Sequence, residues 1–434
     1  MRVFALLSCA WLLAGLPLTA QAWSNHALGS LLSLQGLPGI QREVQVEPLE
    51  AFLKDQAPAL QSLLDEQEAF AREHFPNYPA RPDNLRWQAA QQGEPRAAFI
   101  RALRINPEVR LASFIQQLPG QPDGGRPSLL AQDVLVFHKV GPWSQWRYLA
   151  LQPGEAVSAL QVLSSAADEP DYGHDINLFS DNPGSAGQQY GFGSQPFGDA
   201  RFEYSSQAPF HIGYFHESPL IFAAAPYLAR TLPHWRVYQY SGLARLAFAS
   251  GHPYWGYRFL GWALHYLQDL TQPYHASVLP GVDTTGMVMI ALKAEAGYPE
   301  EREAAIKRVA DRHTAIEQYQ FARMDSLLRQ GPADSPLLTA YADTATDAGY
   351  PAFDADYAAN VVAAESHGSA DQLDELIGHW LAAQASSSPG FSAGNQLAAP
   401  AASDPELEQL LAELFRHFGA HSRNAVRAVA PAAD

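Results

Sequence analysis

The chain has 434 residues, of which 47% are hydrophobic and 17% are charged, so it carries enough apolar surface to fold and is not a disordered polypeptide. Lysine and arginine number 28 against 45 aspartate and glutamate residues, and the net charge of −17 argues against a broad basic face for duplex nucleic acid. The single cysteine, Cys9, excludes an intrachain disulfide framework.

The first 22 residues are typical of a secretory signal peptide. Arg2 precedes an apolar stretch over residues 4–18, and Ala20-Gln21-Ala22 forms an A-x-A cleavage site. The stretch is too short to anchor the chain stably across a bilayer. Cleavage would make Trp23 the first residue, and its free α-amine could then bind a metal ion; simple packing of the indole is the alternative. We therefore expect an exported protein, periplasmic or secreted, with no transmembrane anchor.

Apolar residues recur at intervals of three and four along most of the remaining chain, which predicts a mainly α-helical fold. Val134, Val136 and Phe137, within the mixed pattern of residues 129–151, indicate a short strand or a buried extended piece. Residues 171–208 are rich in glycine, serine, asparagine and aspartate and predict a long loop, a feature that is often functional. The predicted helices cover residues 47–75, 96–117, 156–166, 236–250, 253–270, 287–296, 299–330, 356–366, 371–383 and 405–430.

Composition divides the exported chain into three parts. Residues 23–383 form a predicted helical domain with an N-terminal extension and loop insertions. Residues 384–404 are rich in serine, alanine, proline and glycine and predict a linker, and residues 405–430 predict a terminal amphipathic helix. His417 and His421 lie four residues apart on that helix. They could be metal ligands, but we expect them to lie on a solvated face.

The most specific pattern lies in residues 261–275, GWALHYLQDLTQPYH. His265 and Asp269 are four residues apart, so on a helix they share one face and their donor atoms can meet at one ion. His275 follows the break at Pro273, where the chain can return to the same cluster. Aromatic and aliphatic neighbours predict partial burial of this pair, a cost that a bound metal ion would offset.

His313 and Glu317 repeat the same spacing on a second predicted helix. Imidazole and carboxylate on adjacent turns are compatible with zinc, and a surface ion pair is the alternative interpretation. Histidine is abundant for an acidic chain, with 15 residues, and metal binding would account for some of this surplus.

Residues 261–276 resemble the signature of the zinc-dependent phospholipase C and single-strand-specific zinc nuclease superfamily, which implies a multi-helix fold around a trinuclear zinc site. Members of that family begin their mature chain with a tryptophan whose amine and carbonyl bind one zinc ion, and Trp23 fits this feature. The resemblance places His265 and Asp269 at the paired zinc ions, with Asp269 bridging.

The same resemblance implies that His275, His313 and Glu317 hold the remaining zinc ion and that His26 joins Trp23. The family also requires an upstream aspartate and histidine, for which Asp171 and His211 are the first choices, with Asp175, Asp199 and His216 as alternatives. The metal ligands expected for up to three Zn²⁺ ions are Trp23, His26, Asp171, His211, His265, Asp269, His275, His313 and Glu317.

The function implied is phosphodiester hydrolysis, with Asp171 and Asp269 as catalytic residues. A phospholipase C-like activity on a phospholipid headgroup ester is favoured, with transient contact to a membrane surface.

A single-strand-specific nuclease is the alternative, although it needs stacking aromatics and a cationic channel that the charge of −17 disfavours. A non-catalytic, metal-binding helical protein is a third possibility; dimetal bundles typically use Glu-x-x-His pairs, whereas this chain has His-x-x-x-Asp and His-x-x-x-Glu. This chain differs from shorter family members in three places: the long intervals 171–211 and 275–313, and the N-terminal extension. These differences affect the identity of the substrate more than the metal site.

Overall fold

The computed structural model describes residues 23, 25–89, 93–118, 122–137, 146–198, 203–331, 334–387 and 403–432. The predicted signal peptide, residues 1–22, lies outside these residues. The mainly α-helical prediction is confirmed, since the described residues form seventeen α-helices and five short strands.

The α-helices are α1 (His26–Leu34), α2 (Leu49–Asp55), α3 (Ala57–His74), α4 (Pro95–Leu103), α5 (Ala159–Ala166), α6 (Ala186–Tyr190), α7 (Glu203–Ser206), α8 (Ala208–His211), α9 (Pro219–Ala224), α10 (Pro233–Ala249), α11 (Pro253–Asp269), α12 (Thr284–Glu295), α13 (Glu300–Gln330), α14 (Pro336–Ala340), α15 (Ala363–Gly368), α16 (Ala370–Ser387) and α17 (Pro405–Val429). The strands are β1 (Glu43–Gln45), β2 (Phe114–Gln117), β3 (Ser128–Leu129), β4 (Arg147–Ala150) and β5 (Ala156–Ser158). β1 pairs antiparallel with β5, and β4 lies between β2 and β3, antiparallel to both.

α11 is the central element of the fold. It begins at Pro253, where the missing N–H of proline costs little, and every residue from Tyr254 to Asp269 is buried. Its aromatic and aliphatic side chains point in all directions, as expected for a helix that is covered on every face. α10 packs along one side and α5 packs against another.

Gly261 lets α5 approach α11 closely. A Cβ atom added at Gly261 would lie 2.5 Å from the Leu163 carbonyl oxygen and 2.5 Å from Cβ of Ala166. Only a residue without a side chain fits there, and the contact brings the C-terminal end of α5 beside the next turn of α11, which carries His265.

Two large apolar clusters fill the interior of the described residues. The first surrounds α10 and α11, and the second joins α13, α16 and α17 with Trp23 and Tyr274. Leu31 of α1 packs against both clusters, so the first helix links them. Among the described helices, none is both long enough and apolar enough to cross a membrane.

Several predicted helices match the structure closely. The predictions at residues 253–270, 299–330 and 405–430 correspond to α11, α13 and α17 within a few residues. α17 packs against α1, α11 and α14. His421 on this helix is buried, with its ring nitrogens within hydrogen-bond distance of Tyr357 and Glu365, so the expectation that it lies on a solvated face was wrong.

The helix predicted over residues 96–117 was wrong in its second half. α4 ends because Arg104 adopts a left-handed conformation, with φ of 52°, and the chain then forms β2. The Arg104 guanidinium is buried and donates hydrogen bonds to the Pro79 carbonyl and the Tyr78 hydroxyl. Such distant partners are invisible to helical periodicity.

Other boundaries also differ. The 47–75 prediction is two helices, α2 and α3, and β5 occupies the first three residues of the helix predicted over 156–166. Val134, Val136 and Phe137 follow a 3-10 turn without forming a strand, while Val134 and Phe137 are buried. The predicted 171–208 loop contains the short helices α6 and α7. α16 continues through Ser387, so the start of the predicted linker is helical, and residues 388–402 lie outside the described ranges.

The close contact at Gly261 predicts that Gly261→Ala is destabilising. The added methyl group must displace the α5 backbone, and overpacking of this kind costs about 1–3 kcal/mol of unfolding free energy. Urea unfolding followed by circular dichroism measures this change. Gly368→Ala is the matched control, because no atom lies within 4 Å of the added Cβ at that helical glycine. Equal stability of the two variants would contradict the prediction.

Candidate metal centre

The histidines and carboxylates proposed as ligands lie on six parts of the fold. His26 begins α1, Asp171 lies on the 3-10 turn after α5, and His211 ends α8. The remaining ones lie at the end of α11, on the 3-10 turn that follows it, and on α13; these are His265, Asp269, His275, His313 and Glu317. All eight of these side chains are buried.

Asp269 stands between histidines from three different helices. Its Oδ1 atom lies 3.4 Å from Nε2 of His26, and its Oδ2 atom lies 3.3 Å from Nε2 of His265 and 2.8 Å from Nδ1 of His211. His26, His265 and Asp269 form the first group, because one donor atom from each lies within 4.8 Å of the others. The Oδ2 atom of Asp269 also approaches His211, which belongs to a second group. This arrangement is suited to a carboxylate that is shared by two ions.

Asp171 joins His211 and His265 in a second group. Its Oδ1 atom lies 3.9 Å from Nδ1 of His211 and 3.7 Å from Nε2 of His265, and those two nitrogens are 3.0 Å apart. One donor atom from each of the three residues lies within 4.8 Å of the others, a spacing that a single ion can bridge.

A third group combines His275 with His313 and Glu317. Nε2 of His313 lies 2.8 Å from Oε1 of Glu317, and the rings of His275 and His313 are nearly perpendicular, with centroids 5.0 Å apart. All three donor atoms again lie within 4.8 Å of one another. The described residues thus contain three buried groups of histidines and carboxylates that can hold metal ions.

Hydrogen bonds at the opposite ring nitrogen orient two of these histidines. Nδ1 of His265 lies 2.7 Å from the Ala167 carbonyl oxygen, and Nδ1 of His275 lies 2.9 Å from the His211 carbonyl oxygen. A carbonyl oxygen can only accept, so each Nδ1 atom carries a proton, and in the neutral form of the ring the Nε2 atom keeps a lone pair. Metal-binding histidines are commonly held in this way.

His211 is oriented in the reverse sense, since its Nδ1 atom faces Asp171 and Asp269. Its Nε2 atom lies 3.6 Å from Asp175, whose carboxylate accepts hydrogen bonds from Arg236 at 2.5 and 3.1 Å and from the Tyr266 hydroxyl. Asp175 therefore lies behind His211, outside the three groups.

The alternatives raised by the sequence can now be placed. The structure brings Asp171, and not Asp175, into a group with His265. His216 is exposed, and its Nε2 atom contacts the Ala359 carbonyl at 2.7 Å, away from the three groups. Asp199 lies outside the described residues.

Burial and neighbouring charges set the protonation of the centre. Burial raises the pKa of Asp171 to about 7. Burial alone would also raise the pKa of Asp269, but His265 and His211 outweigh it and hold that pKa well below its usual value. Burial lowers the pKa of His275 to about 3 and that of His313 to about 4, so both are neutral near pH 7, the form that binds metals.

Several buried donor atoms of the three groups lack a hydrogen bond from the described residues. They are Nε2 of His26, Oδ1 of Asp269 and Nε2 of His275. A buried polar atom without a partner costs roughly 1–3 kcal/mol, and three close together would be an unusual accumulation. Metal ions bound to these atoms would remove the cost, so the donor atoms are consistent with bound metal ions.

Trp23 is placed beside the centre by its side chain. The indole Nε1 atom donates to the Gln268 carbonyl at 3.1 Å and to Oγ1 of Thr271 at 2.9 Å, both next to the end of α11. The indole ring is buried and meets Phe415 of α17 edge-on, with centroids 5.4 Å apart. Trp23 is thus held three residues before His26.

The sequence did not single out two residues that support the centre. Asp168 accepts a hydrogen bond from the Ala27 backbone N–H at 3.0 Å, at the positive end of α1. Gln268 accepts from Nδ1 of His26 at 3.0 Å. Asp168 and Gln268 each lie close in sequence to a predicted ligand, but the residues that they contact are 141 and 242 residues away in the chain. A local sequence pattern cannot predict such contacts.

Comparisons with protein-family models, with curated proteins and with solved structures found no match to this chain.

Removal of metal ions should destabilise the protein. An ion that binds only the folded state at 100 times its Kd contributes about 2.7 kcal/mol, so chelation should lower Tm and added divalent metal should restore it. Differential scanning fluorimetry measures the shift. A Tm that is indifferent to both chelator and metal would contradict a metal centre.

Substitution of one histidine in one of the three groups should remove one bound ion. We expect His313→Gln to lower the bound metal by about one ion per chain, because a histidine is lost from a three-residue group. His252→Gln is the control, since His252 pairs with Glu47 and Asp55 in a similar contact outside the three groups. Elemental analysis gives the metal content, and an unchanged value in His313→Gln would contradict the assignment.

Proposed function

We propose that this protein is an exported, zinc-dependent phosphodiesterase, and that its substrate is a phospholipid headgroup ester. The observation that carries the proposal is the convergence of the eight predicted histidines and carboxylates into three buried groups. Two of these groups share His265, and Asp269 of the first lies 2.8 Å from His211 of the second. Nitrogen and carboxylate donors in groups of this kind suit zinc.

His26 and Asp269, with the backbone of Trp23 after signal cleavage, would hold one ion. Asp171, His211 and His265 would hold the second together with Asp269, and the third would be bound by His275, His313 and Glu317. When bound, such ions lower the pKa of water and neutralise the charge of a phosphodiester.

The protein groups then have separate tasks. Asp171 is one residue of the group that contains His211 and His265, and it would orient the attacking water and accept its proton. Asp269 would bind alongside His26 through Oδ1 and alongside His211 through Oδ2, and so would contribute to two ion sites. The buried surroundings strengthen these electrostatic interactions by excluding bulk water. No nucleophilic side chain is required.

The surface of α12 favours a lipid substrate over a nucleic acid. This helix has no buried residue, although residues 287–292 are all apolar. Met289 is 48% exposed, Leu292 is 54% exposed, and Tyr298 just beyond the helix is 67% exposed. Apolar side chains with a nearby tyrosine suit transient contact with a lipid interface.

The arginines that pack behind the centre offer little to a nucleic acid. Arg236 is buried in an ion pair with Asp175, and Arg258 is buried in an ion pair with Glu169. Both guanidinium groups are therefore already engaged. A single-stranded substrate would need free cationic groups along its backbone, and the net charge of −17 opposes it.

The proposed chemistry predicts that Asp269→Asn loses metal and activity together. The neutral amide is a poorer ligand, and it faces two of the three groups, so we expect hydrolysis of a phosphodiester to fall by at least about 10²-fold. Asp65→Asn is the control, because Asp65 pairs with Arg86 at a partly exposed site. Full metal content together with retained activity in Asp269→Asn would contradict the proposal.

Substrate class is tested on the zinc-loaded exported protein, with its N-terminus sequenced, by assaying phosphatidylcholine vesicles and single-stranded DNA side by side. We expect cleavage of the lipid. Met289→Asp/Leu292→Asp should lower the ratio of vesicle activity to soluble short-chain lipid activity by at least about tenfold. About half of each side chain is exposed, so the pair has roughly one whole side chain left to bury, worth about 1.5–3 kcal/mol. Cleavage of DNA alone would favour the nuclease, and cleavage of neither would contradict a phosphodiesterase.

A further inference from the structure

Gln268 connects three helices at the edge of the candidate metal centre. It is the penultimate residue of α11, and its side chain is buried. Its Oε1 atom lies 3.0 Å from Nδ1 of His26 on α1. Its Nε2 atom donates to Oγ of Ser30 at 2.8 Å and to Oγ of Ser422 on α17 at 3.0 Å.

The amide of Gln268 has a defined orientation in the structure. Its nitrogen donates to the two serine hydroxyl oxygens, and its oxygen faces His26. An amide oxygen can only accept a hydrogen bond. With the amide in this orientation, Nδ1 of His26 carries a proton, and Nε2 of the neutral ring carries the lone pair.

The lone pair of His26 is directed into the centre. Its Nε2 atom has no hydrogen-bond partner among the described residues and lies 3.4 Å from Oδ1 of Asp269. With the other tautomer, an N–H group would occupy the position from which His26 could bind an ion. Selection of one tautomer therefore makes His26 ready to act as a ligand.

The C-terminal helix holds the other side of this contact. Besides the Ser422 hydrogen bond, Phe418 packs beside His26 with centroids 6.4 Å apart. A Cβ atom added at Gly29 of α1 would lie 2.6 Å from Cζ of Phe418, so α1 and α17 are in tight contact. The side chain of Gln268 is therefore in contact with residues of both α1 and α17.

We infer that Gln268 is a positioning residue, which selects the Nδ1–H tautomer of His26 and thereby prepares the Nε2 atom to bind the ion shared with Asp269. This role rests on the proposed metal-dependent function, but it concerns an atom of the metal-free protein as well. Ser30 and Ser422 contribute to this role, because their hydroxyl oxygens accept the two hydrogen bonds of the amide nitrogen.

The test combines two readouts on the full exported chain. Long-range ¹H–¹⁵N NMR of the metal-free protein reports the tautomer of His26, and competition with a chelator gives the affinity of each zinc ion. We expect Gln268→Met to lose the preference for Nδ1–H and to bind one of the zinc ions 10- to 100-fold more weakly, the range typical for loss of such a partner. Gln268→Glu keeps an acceptor toward His26, so it should retain the tautomer.

Gln67→Met is the matched control, because Gln67 is a buried glutamine whose amide donates to the Gln239 carbonyl. An equal loss of zinc affinity in this control would overturn the inference, since it would reflect general destabilisation. A wild-type tautomer and wild-type zinc affinity in Gln268→Met would overturn it too.

If Gln268→Met does not fold, the double variant Ser30→Ala/Ser422→Ala replaces it. Removal of both hydroxyls frees the amide to turn, and we expect a mixture of His26 tautomers and weaker binding of one zinc ion. Unchanged values would overturn the inference. A wild-type protein that binds zinc but cleaves no phosphodiester would contradict the proposed function alone, since the NMR result does not depend on turnover.

Discussion

The burial of Asp269 is the constraint on which the centre depends. Its carboxylate is fully buried at the C-terminal end of α11, where the helix dipole is unfavourable to a negative charge. Such a group is tolerated only with close positive or polar partners, and His26, His211 and His265 supply them from three helices. Because each helix must present its histidine to the same carboxylate, the packing of α1, α8 and α11 is tied to the charge at this point.

The segment after α5 supports this arrangement with several consecutive residues. The Ala167 carbonyl holds His265, the Asp168 carboxylate holds the start of α1, and Asp171 joins the centre itself. Between them, Glu169 accepts hydrogen bonds from Arg258 and Trp262 of α11. The close approach of α5 and α11 at Gly261 brings this whole segment into place, so a glycine with no chemistry of its own determines where a carboxylate lies.

Local spacing predicted the parts of the centre that lie on one helix. His265 with Asp269 and His313 with Glu317 follow from the four-residue helical repeat, and α11, α13 and α17 were located from apolar periodicity. His26 and His211 were proposed only through a family resemblance, because their contacts with Asp269 span 243 and 58 residues of the chain. Irregular segments were the least predictable: Asp171 and Asp175 differ by four residues, and Gly173 with φ of 116° turns the chain between them. The end of α4 depended likewise on the tertiary partners of Arg104.

The contact of Gln268 with Ser422 has a consequence for the order of folding. Trp23 and Gln268 are separated by 245 residues, and Gln268 and Ser422 by another 154, yet all three meet at the end of α11. Closing loops of this length costs entropy before any contact is gained, so contacts this far apart in the chain slow folding. A nascent chain that still lacks α17 cannot complete the surroundings of His26. Completion of the surroundings of His26 therefore requires that the chain has been synthesised through α17 and that this helix has docked.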